Sequence, residues 1–301
     1  MSAILNTPAA RPSRRQSFTL PVTTGQGFAM DPVLALQAGC ALQQEYANAK
    51  PFPYAVFDDF LPNTLIEHAL LHFPAEISLN DDMVATKHLQ YLKRGINPID
   101  CTEGAKALFY FFNSPAMLQF LEGLTGIQGL IPDPYFMGGG YHEIRRGGKL
   151  AVHADFRINK QLHLNRRLNV LIYLNKDWQA EYGGNLELWD QSMKNQEDII
   201  EPLFNRSVIF NTDQKSYHGH PEALNSPAHI TRKSIALYYY TASSAIYNEG
   251  TARGTYFNYR PQDDTATKHK IIRRKVRTHV REFLEDWLPP AITRFFNRNR
   301  R

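Results

Sequence analysis

From about Tyr135 to Tyr240 the chain is a succession of short β-forming runs broken by Gly, Asn and Asp, and this texture limits its possible folds more than any other feature. The runs fall at 135–145, 150–155, 167–174, 185–189, 206–211, 216–220 and 233–241. Strands at such close spacing bury their apolar faces by closing into a sandwich or barrel. Gly138-Gly139-Gly140 lacks the Lys-Ser/Thr and the helix of a phosphate loop. A bulge or a close backbone approach is the better reading.

The flanks are patterned differently. Asp31 is placed to cap a helix over Pro32–Asn48. Pro-Phe-Pro (51–53) leads into a strand-like Tyr54–Phe57, and Leu61-Pro62-Asn63 opens a helix to about His72. Another helix is expected from Ser114 to Leu124, ending near Gly126. Residues 75–105 give no clear pattern. Residues 1–30 are rich in Ser, Thr, Pro and Gly, with Arg11, Arg14 and Arg15 clustered, and are expected to be disordered. After Ser244 the pattern turns helical, with Ile272, Val276, Val280, Phe283 and Trp287 on one stripe before Pro289-Pro290. The expected organisation is therefore a disordered extension (1–30), a helical N-terminal part (31–130), a β core (131–245) and a basic amphipathic tail (246–301).

Composition narrows the options. Apolar residues are 43% and charged residues 21%, so a packed core is expected. The two cysteines, Cys40 and Cys101, are too few for a disulfide framework. A reducing compartment, the cytoplasm, is expected, and a metal site must use His and carboxylate. No apolar run approaches the length of a spanning helix, and the N-terminus lacks the apolar stretch of a secretory signal. The net charge of +5 belongs to the tail: Lys268 to Arg301 hold eleven Lys/Arg against Glu282, Glu285 and Asp286. The plainest reading is a helix that packs through its apolar stripe with solvated charges. Two others are contact with an anionic membrane surface, helped by Phe295-Phe296, and contact with nucleic-acid phosphates.

The chemistry-bearing residues begin with Val152-His153-Ala154-Asp155. On a strand, residues two apart share a face, so His153 and Asp155 converge. One imidazole and one carboxylate make two-thirds of a facial metal triad. Alone the pattern is weak, since His220-Pro221-Glu222 also has it. A third ligand from a later strand is available in Ser216-Tyr217-His218-Gly219-His220, where alternation does not choose between His218 and His220. Arg232 opens the final strand in phase with Ser234 and Ala236. A guanidinium deep in a barrel needs a planar anion, either a dicarboxylate ligand or a protein carboxylate.

The order of these elements resembles the prolyl 4-hydroxylase-like branch of the 2-oxoglutarate/Fe(II) dioxygenases. The resemblance rests on Tyr141, His153-Ala154-Asp155, Tyr173-Leu174-Asn175-Lys176-Asp177-Trp178, Gly183-Gly184-Asn185-Leu186, Val208-Ile209-Phe210, Ser216-Tyr217-His218-Gly219 and Arg232-Lys233-Ser234-Ile235. It covers about residues 135–242. It implies an α+β protein with a double-stranded β-helix core (jelly-roll, cupin-like), N-terminal helices packed on it and a helical tail. It implies His153, Asp155 and His218 as Fe(II) ligands, Arg232 as the anchor for the distal carboxylate of 2-oxoglutarate, Tyr173 beside that carboxylate, and Tyr141 lining the site. His220 stands where the family has an apolar residue, and the gap from His218 to Arg232 is longer than usual, which implies an insertion at 221–231.

The activity so implied is hydroxylation of an unactivated C–H bond by O2, with ascorbate as reductant and release of succinate and CO2. The expected substrate is a prolyl residue in a protein or peptide, the alternative a small metabolite or another side chain. Halogenating relatives lack the carboxylate, which Asp155 supplies here. Two other readings are a decayed cupin-like binding protein working through its basic tail, and a zinc hydrolase. The intact triad argues against the first, and Arg232 has no role in the second.

Overall fold

The computed structural model describes residues 15–25, 27–74, 89–159, 161–242 and 255–287, with side chains in the last helix given to Thr278 and at Val280. Strands β1 (Arg15–Ser17), β2 (Val22–Thr23) and β3 (Ala29–Met30) precede helix α1 (Pro32–Asn48). Then come β4 (Tyr54–Asp58), α2 (Asn63–Leu71), β5 (Gln90–Ile96), α3 (Glu103–Phe112), α4 (Pro115–Thr125) and β6 (Ile131–Pro132). The β-rich half holds β7 (Gly140–Ala154), β8 (Ile158–Asn159), β9 (Leu164–Tyr173), β10 (Leu186–Trp189), β11 (Gln196–Ile200), β12 (Ser207–Asn211), β13 (Tyr217–His220) and β14 (Arg232–Ala242). β15 (Tyr256–Phe257) and α5 (Thr265–Trp287) close the described chain.

Helix boundaries follow local chemistry. Asp31 Oδ1 accepts from the backbone N–H of Val33 and Leu34, and Pro32 sits where no N–H is needed. Ser114 caps α4, and Gly126 ends it in the left-handed conformation at φ 71°. The helix α3 and strand β5 fall in or beside the stretch whose sequence gave no clear pattern.

Thirteen strands form one curled sheet in the order β1-β4-β12-β9-β14-β7-β13-β10-β11, with β5, β6, β8 and β15 pairing off this path. The architecture is the double-stranded β-helix, with helices on one face. β7 is shared between the two halves: its first part pairs with β14 and β5, its last part with β13 and β15. Between helices and sheet lies the main core, built on Phe57, Phe60, Phe109, Phe112, Phe120 and Tyr239. A second core, with Tyr54, Val56, Leu188, Val208 and Phe210, fills the closed side of the curl.

Two expectations fail. Residues 15–30 are not disordered: β1 pairs in parallel with β4, Phe18 stacks on Phe120, and Arg15 forms an ion pair with Asp198. The aromatic side chain and the strand edge outweigh the polar composition; residues 1–14 lie outside the described residues. The tail helix does form, yet the described part of its stripe does not pack on the barrel, one of its two expected partners; the other is a neighbour. Ile272, Val276 and Val280 are 43%, 56% and 52% exposed, and Ile271 takes the buried position against Leu89 and Phe257. The stripe positions Phe283 and Trp287 lie outside the described side chains.

α1 and α4 cross in contact because both carry glycine there. A Cβ on Gly39 would lie 2.2 Å from the Phe120 carbonyl oxygen, and one on Gly123 would lie 2.6 Å from the Leu36 carbonyl oxygen. Gly123→Ala should therefore destabilise the protein by about 1–3 kcal/mol and lower the thermal midpoint by several degrees. An unchanged midpoint would show that the helices part without cost.

Candidate active site

β7 and β13 bring two histidines together by register. His218 is directly paired with His153, and His220 with Leu150, so the single residue Gly219 of β13 opposes two of β7, Ala151 and Val152. This bulge changes which parity of β7 faces inward. Before it His142, Ile144 and Leu150 line the central cavity; after it His153 and Asp155 do. Tyr141, expected to line the site, shares the parity of His153 but lies before the bulge. It is fully buried in the main core, its ring against Phe73 and Phe109, and it is not a wall of the cavity.

His153, Asp155 and His218 converge at one end of that cavity, with their ligand atoms all within 4.8 Å of one another. His153 Nε2 is 3.6 Å from Asp155 Oδ1, and His218 Nε2 is 3.5 Å from Asp155 Oδ2. Each histidine is oriented through its other nitrogen: His153 Nδ1 lies 2.8 Å from the Ala151 carbonyl and His218 Nδ1 lies 2.9 Å from that of Ser216. A carbonyl only accepts, so both Nδ1 atoms are donors and both Nε2 lone pairs point inward. Two imidazoles and one carboxylate suit a divalent first-row metal with free positions for further ligands.

Asp155 is fixed by residues that the motif reading passed over. Asn169 Nδ2 donates to Oδ2 at 2.7 Å, and Arg166 Nη2 approaches the same oxygen at 2.9 Å. Arg166 is itself held by Asn169 Oδ1 and sandwiched by Phe156 and Tyr238, the latter ring centre 3.5 Å from its guanidinium carbon. Burial pushes the Asp155 carboxyl up, but Arg166 and the two histidines outweigh it and hold the group well below the usual carboxylate range. Burial, with His153 beside it, pulls His218 down to about 4. Near neutral pH Asp155 and His218 are therefore ready for metal without losing a proton.

Arg232 stands at another wall of the cavity, buried, and among the described residues no carboxylate pairs with it. Its Nε donates to the Gly184 carbonyl at 2.8 Å, and its Nη2 to the Tyr173 hydroxyl at 3.3 Å. The neighbouring motif residues support this arm. Asn175 Oδ1 accepts from the Lys233 N–H, and Trp178 Nε1 donates to the Gly183 carbonyl. Gly184 must lack a side chain, since a Cβ there would lie 3.0 Å from Arg232 Cδ and 2.3 Å from Leu224 Cδ2. A buried guanidinium without a counter-ion is costly, and a carboxylate entering the cavity would complete it.

The cavity, about 780 Å³, also receives His220, His142, Lys93 and Arg274. His220 lies outside the metal cluster. Both its ring nitrogens are buried without a hydrogen-bond partner, and burial, with Arg232 adding, keeps it well below the usual histidine range. Burial pulls the Lys93 ammonium down to about 8, with Asp155 opposing and Arg232 and Arg166 adding. Among the described lining residues Asp155 is the only acid, against Lys93, Arg166, Arg232 and Arg274.

Residues 139–240, which include His153, Asp155, His218, Arg166, Asn169, Tyr173 and Arg232, match the 2OG-Fe(II) oxygenase superfamily. The chain carries a 2OG-Fe(II) oxygenase domain. A search of curated proteins gave no match to this oxygenase. Similar solved structures include a prolyl hydroxylase from Trichoplax adhaerens in complex with a hypoxia inducible factor peptide fragment, with 19% identity over 69% of this chain and 91% of that one and a TM-score of 0.47. A prolyl-4-hydroxylase from Pseudomonas putida has 19% identity over 68% and 98%, with a TM-score of 0.42. HygX from Streptomyces hygroscopicus, with nickel, 2-oxoglutarate and hygromycin B bound, has 11% identity over 62% and 82%, with a TM-score of 0.42.

Mn(II) binding, as a redox-stable stand-in for Fe(II), tests the oxygenase site. His218→Ala should abolish it and His220→Ala should preserve it. Arg166→Met should weaken it about 10–100-fold by freeing Asp155. Binding requires neutral His218, so it should persist below neutrality and fail as pH falls through about 4. Equal losses in the two histidine variants would contradict the cluster.

Proposed function

We propose that this oxygenase hydroxylates an unactivated C–H bond of a prolyl residue in a protein or peptide. The single observation that carries the cosubstrate part of this reading is Arg232, a buried cation facing the cavity with no protein carboxylate to pair with. His153, Asp155 and His218 are the ligands for Fe(II). Arg232 and the Tyr173 hydroxyl are the anchor for the distal carboxylate of 2-oxoglutarate. When bound, the metal and 2-oxoglutarate supply the oxidising power, with O2 placing one oxygen atom in the C–H bond and the other in succinate as CO2 leaves.

The chain's own residues orient and sequester. Arg166 and Asn169 hold Asp155 ionised and turned so that Oδ1 stays free. The carbonyls of Ala151 and Ser216 hold both imidazoles as Nε2 ligands. Leu171 and Leu186 line the cavity beside Tyr173 and exclude water from the carboxylate arm. For the substrate, the resemblance of Tyr173-Leu174-Asn175 and Gly183-Gly184-Asn185-Leu186 to prolyl hydroxylases supports proline. The excess of cations on the walls supports a peptide with acidic residues beside it. Lys93 is charged only below about pH 8, so the preference for acidic flanks is full below that pH and fades above it.

The test is succinate formation by the purified protein with Fe(II), ascorbate and 2-oxoglutarate, with proline peptides bearing acidic, neutral or basic flanks. Stimulation by acidic-flanked peptides is expected, falling as pH rises through 8. Arg232→Ala should raise the 2-oxoglutarate requirement by about 10–100-fold, in line with loss of a charge-paired anchor worth about 1.5–3 kcal/mol. Unchanged 2-oxoglutarate dependence would move the anchor elsewhere, and stimulation by free metabolites but by no peptide would move the substrate class.

A further inference from the structure

Helix α5 has two unlike sides. Its inner side meets the oxygenase core: Ile271 is fully buried beside Leu89, Phe257 and Leu150, Arg274 lies over the Phe257 ring, and Lys275 Nζ donates to Asn258 Oδ1. After Lys275 the described side chains Val276, Arg277, Thr278 and Val280 are all exposed, so the helix projects from the body. Its outer side carries Ile272, Val276 and Val280 at successive i, i+4 positions, each about half exposed. β-Branched aliphatics in a row are ordinarily the buried side of a surface helix, and among the described residues nothing covers this stripe.

Charge decides what could cover it. From Thr265 to Val280 the helix has six Lys/Arg and no Asp or Glu. On a helical projection Arg273, Arg277 and Lys270 flank the stripe on one side, and Lys268 on the other. A second copy of the helix would bring like charge against like charge. Residues 288–301 add four arginines and no acid, which opposes their folding back over it. Nucleic acid would satisfy the charges but would strand three aliphatic side chains against phosphates. An aliphatic row edged by basic side chains fits a phospholipid surface, with apolar groups at the acyl boundary and ammonium and guanidinium groups among the headgroups. No described helix is long and apolar enough to cross a membrane, so the helix would lie along the interface.

We propose that the outer face of α5 docks on an anionic phospholipid bilayer through Ile272, Val276 and Val280, with Lys268, Lys270, Arg273 and Arg277 pairing with lipid phosphates. The inner face of the same helix sets Arg274 at the rim of the active-site cavity, so docking places the cavity close to the membrane surface. The proposal is independent of the substrate.

The experiment is flotation of the full-length protein with phosphatidylcholine vesicles, with and without phosphatidylglycerol. Binding is expected only with phosphatidylglycerol, weakened by salt. Val276→Asp and Ile272→Asp, both at exposed positions, should each weaken it about tenfold or more through lost apolar burial and added repulsion. Neither should change the helical circular dichroism or the formation of succinate in solution. No flotation with either vesicle would overturn the proposal. So would equal binding by wild type and both Asp variants, or displacement from vesicles by a DNA duplex at matched phosphate with the Asp variants binding that duplex undiminished.

Discussion

The pairing of β7 with β13 is the constraint on which the site depends. One residue of β13, Gly219, faces two of β7, and that single extra residue decides which side chains enter the cavity. Without it, strict alternation would turn Tyr141, rather than His142, toward the cavity along with His153. With it, His153 and His218 sit opposite each other at the closed end, and the upstream half of β7 presents His142 and Ile144 to the approach. The same register leaves Tyr141 to the aromatic core beneath, where Phe73 and Phe109 hold it. Core packing and metal geometry are thus set by one bulge rather than by separate devices.

Electrostatics then makes the cavity selective. Asp155 and His218 are poised in their metal-binding protonation states because Arg166 stabilises the Asp155 anion and burial disfavours the His218 cation. Arg232 faces the cavity without a counter-ion and is braced by Gly184 and Tyr173 rather than neutralised by them. A cavity with this balance is unfavourable to leave without an anion and favourable to fill with a dicarboxylate. The Asn175 and Trp178 contacts show why the motif around Tyr173 accompanies the arginine: they pin the turn whose carbonyl receives it.

Much of this was legible before any fold was known. The strand texture, the His-x-Asp pair, the later histidines and Arg232 lie in sequence order, and the structure brings them to one cavity. Alternation left His218 and His220 equivalent, since both do face the cavity; the family resemblance favoured His218, and three-dimensional proximity groups it with His153 and Asp155. Tyr141 was placed at the site by the family resemblance, and its side chain lies in the aromatic core outside the cavity because the bulge shifts which parity of β7 faces inward. Arg166 and Asn169 were passed over because a buried Arg–Asp pair formed across eleven residues has no local signature. The tail stripe was read correctly as one face of a helix. Whether that face meets the body depends on where the chain re-enters, which periodicity does not encode.

The most direct test of the account is the absorption band that appears when 2-oxoglutarate chelates Fe(II) under anaerobic conditions. The wild-type protein should develop the metal-to-ligand charge-transfer band, His218→Ala should not, and Arg232→Ala should develop it only at much higher 2-oxoglutarate. A wild-type protein that binds Fe(II) yet shows no band at any 2-oxoglutarate concentration would contradict the assignment of this cavity.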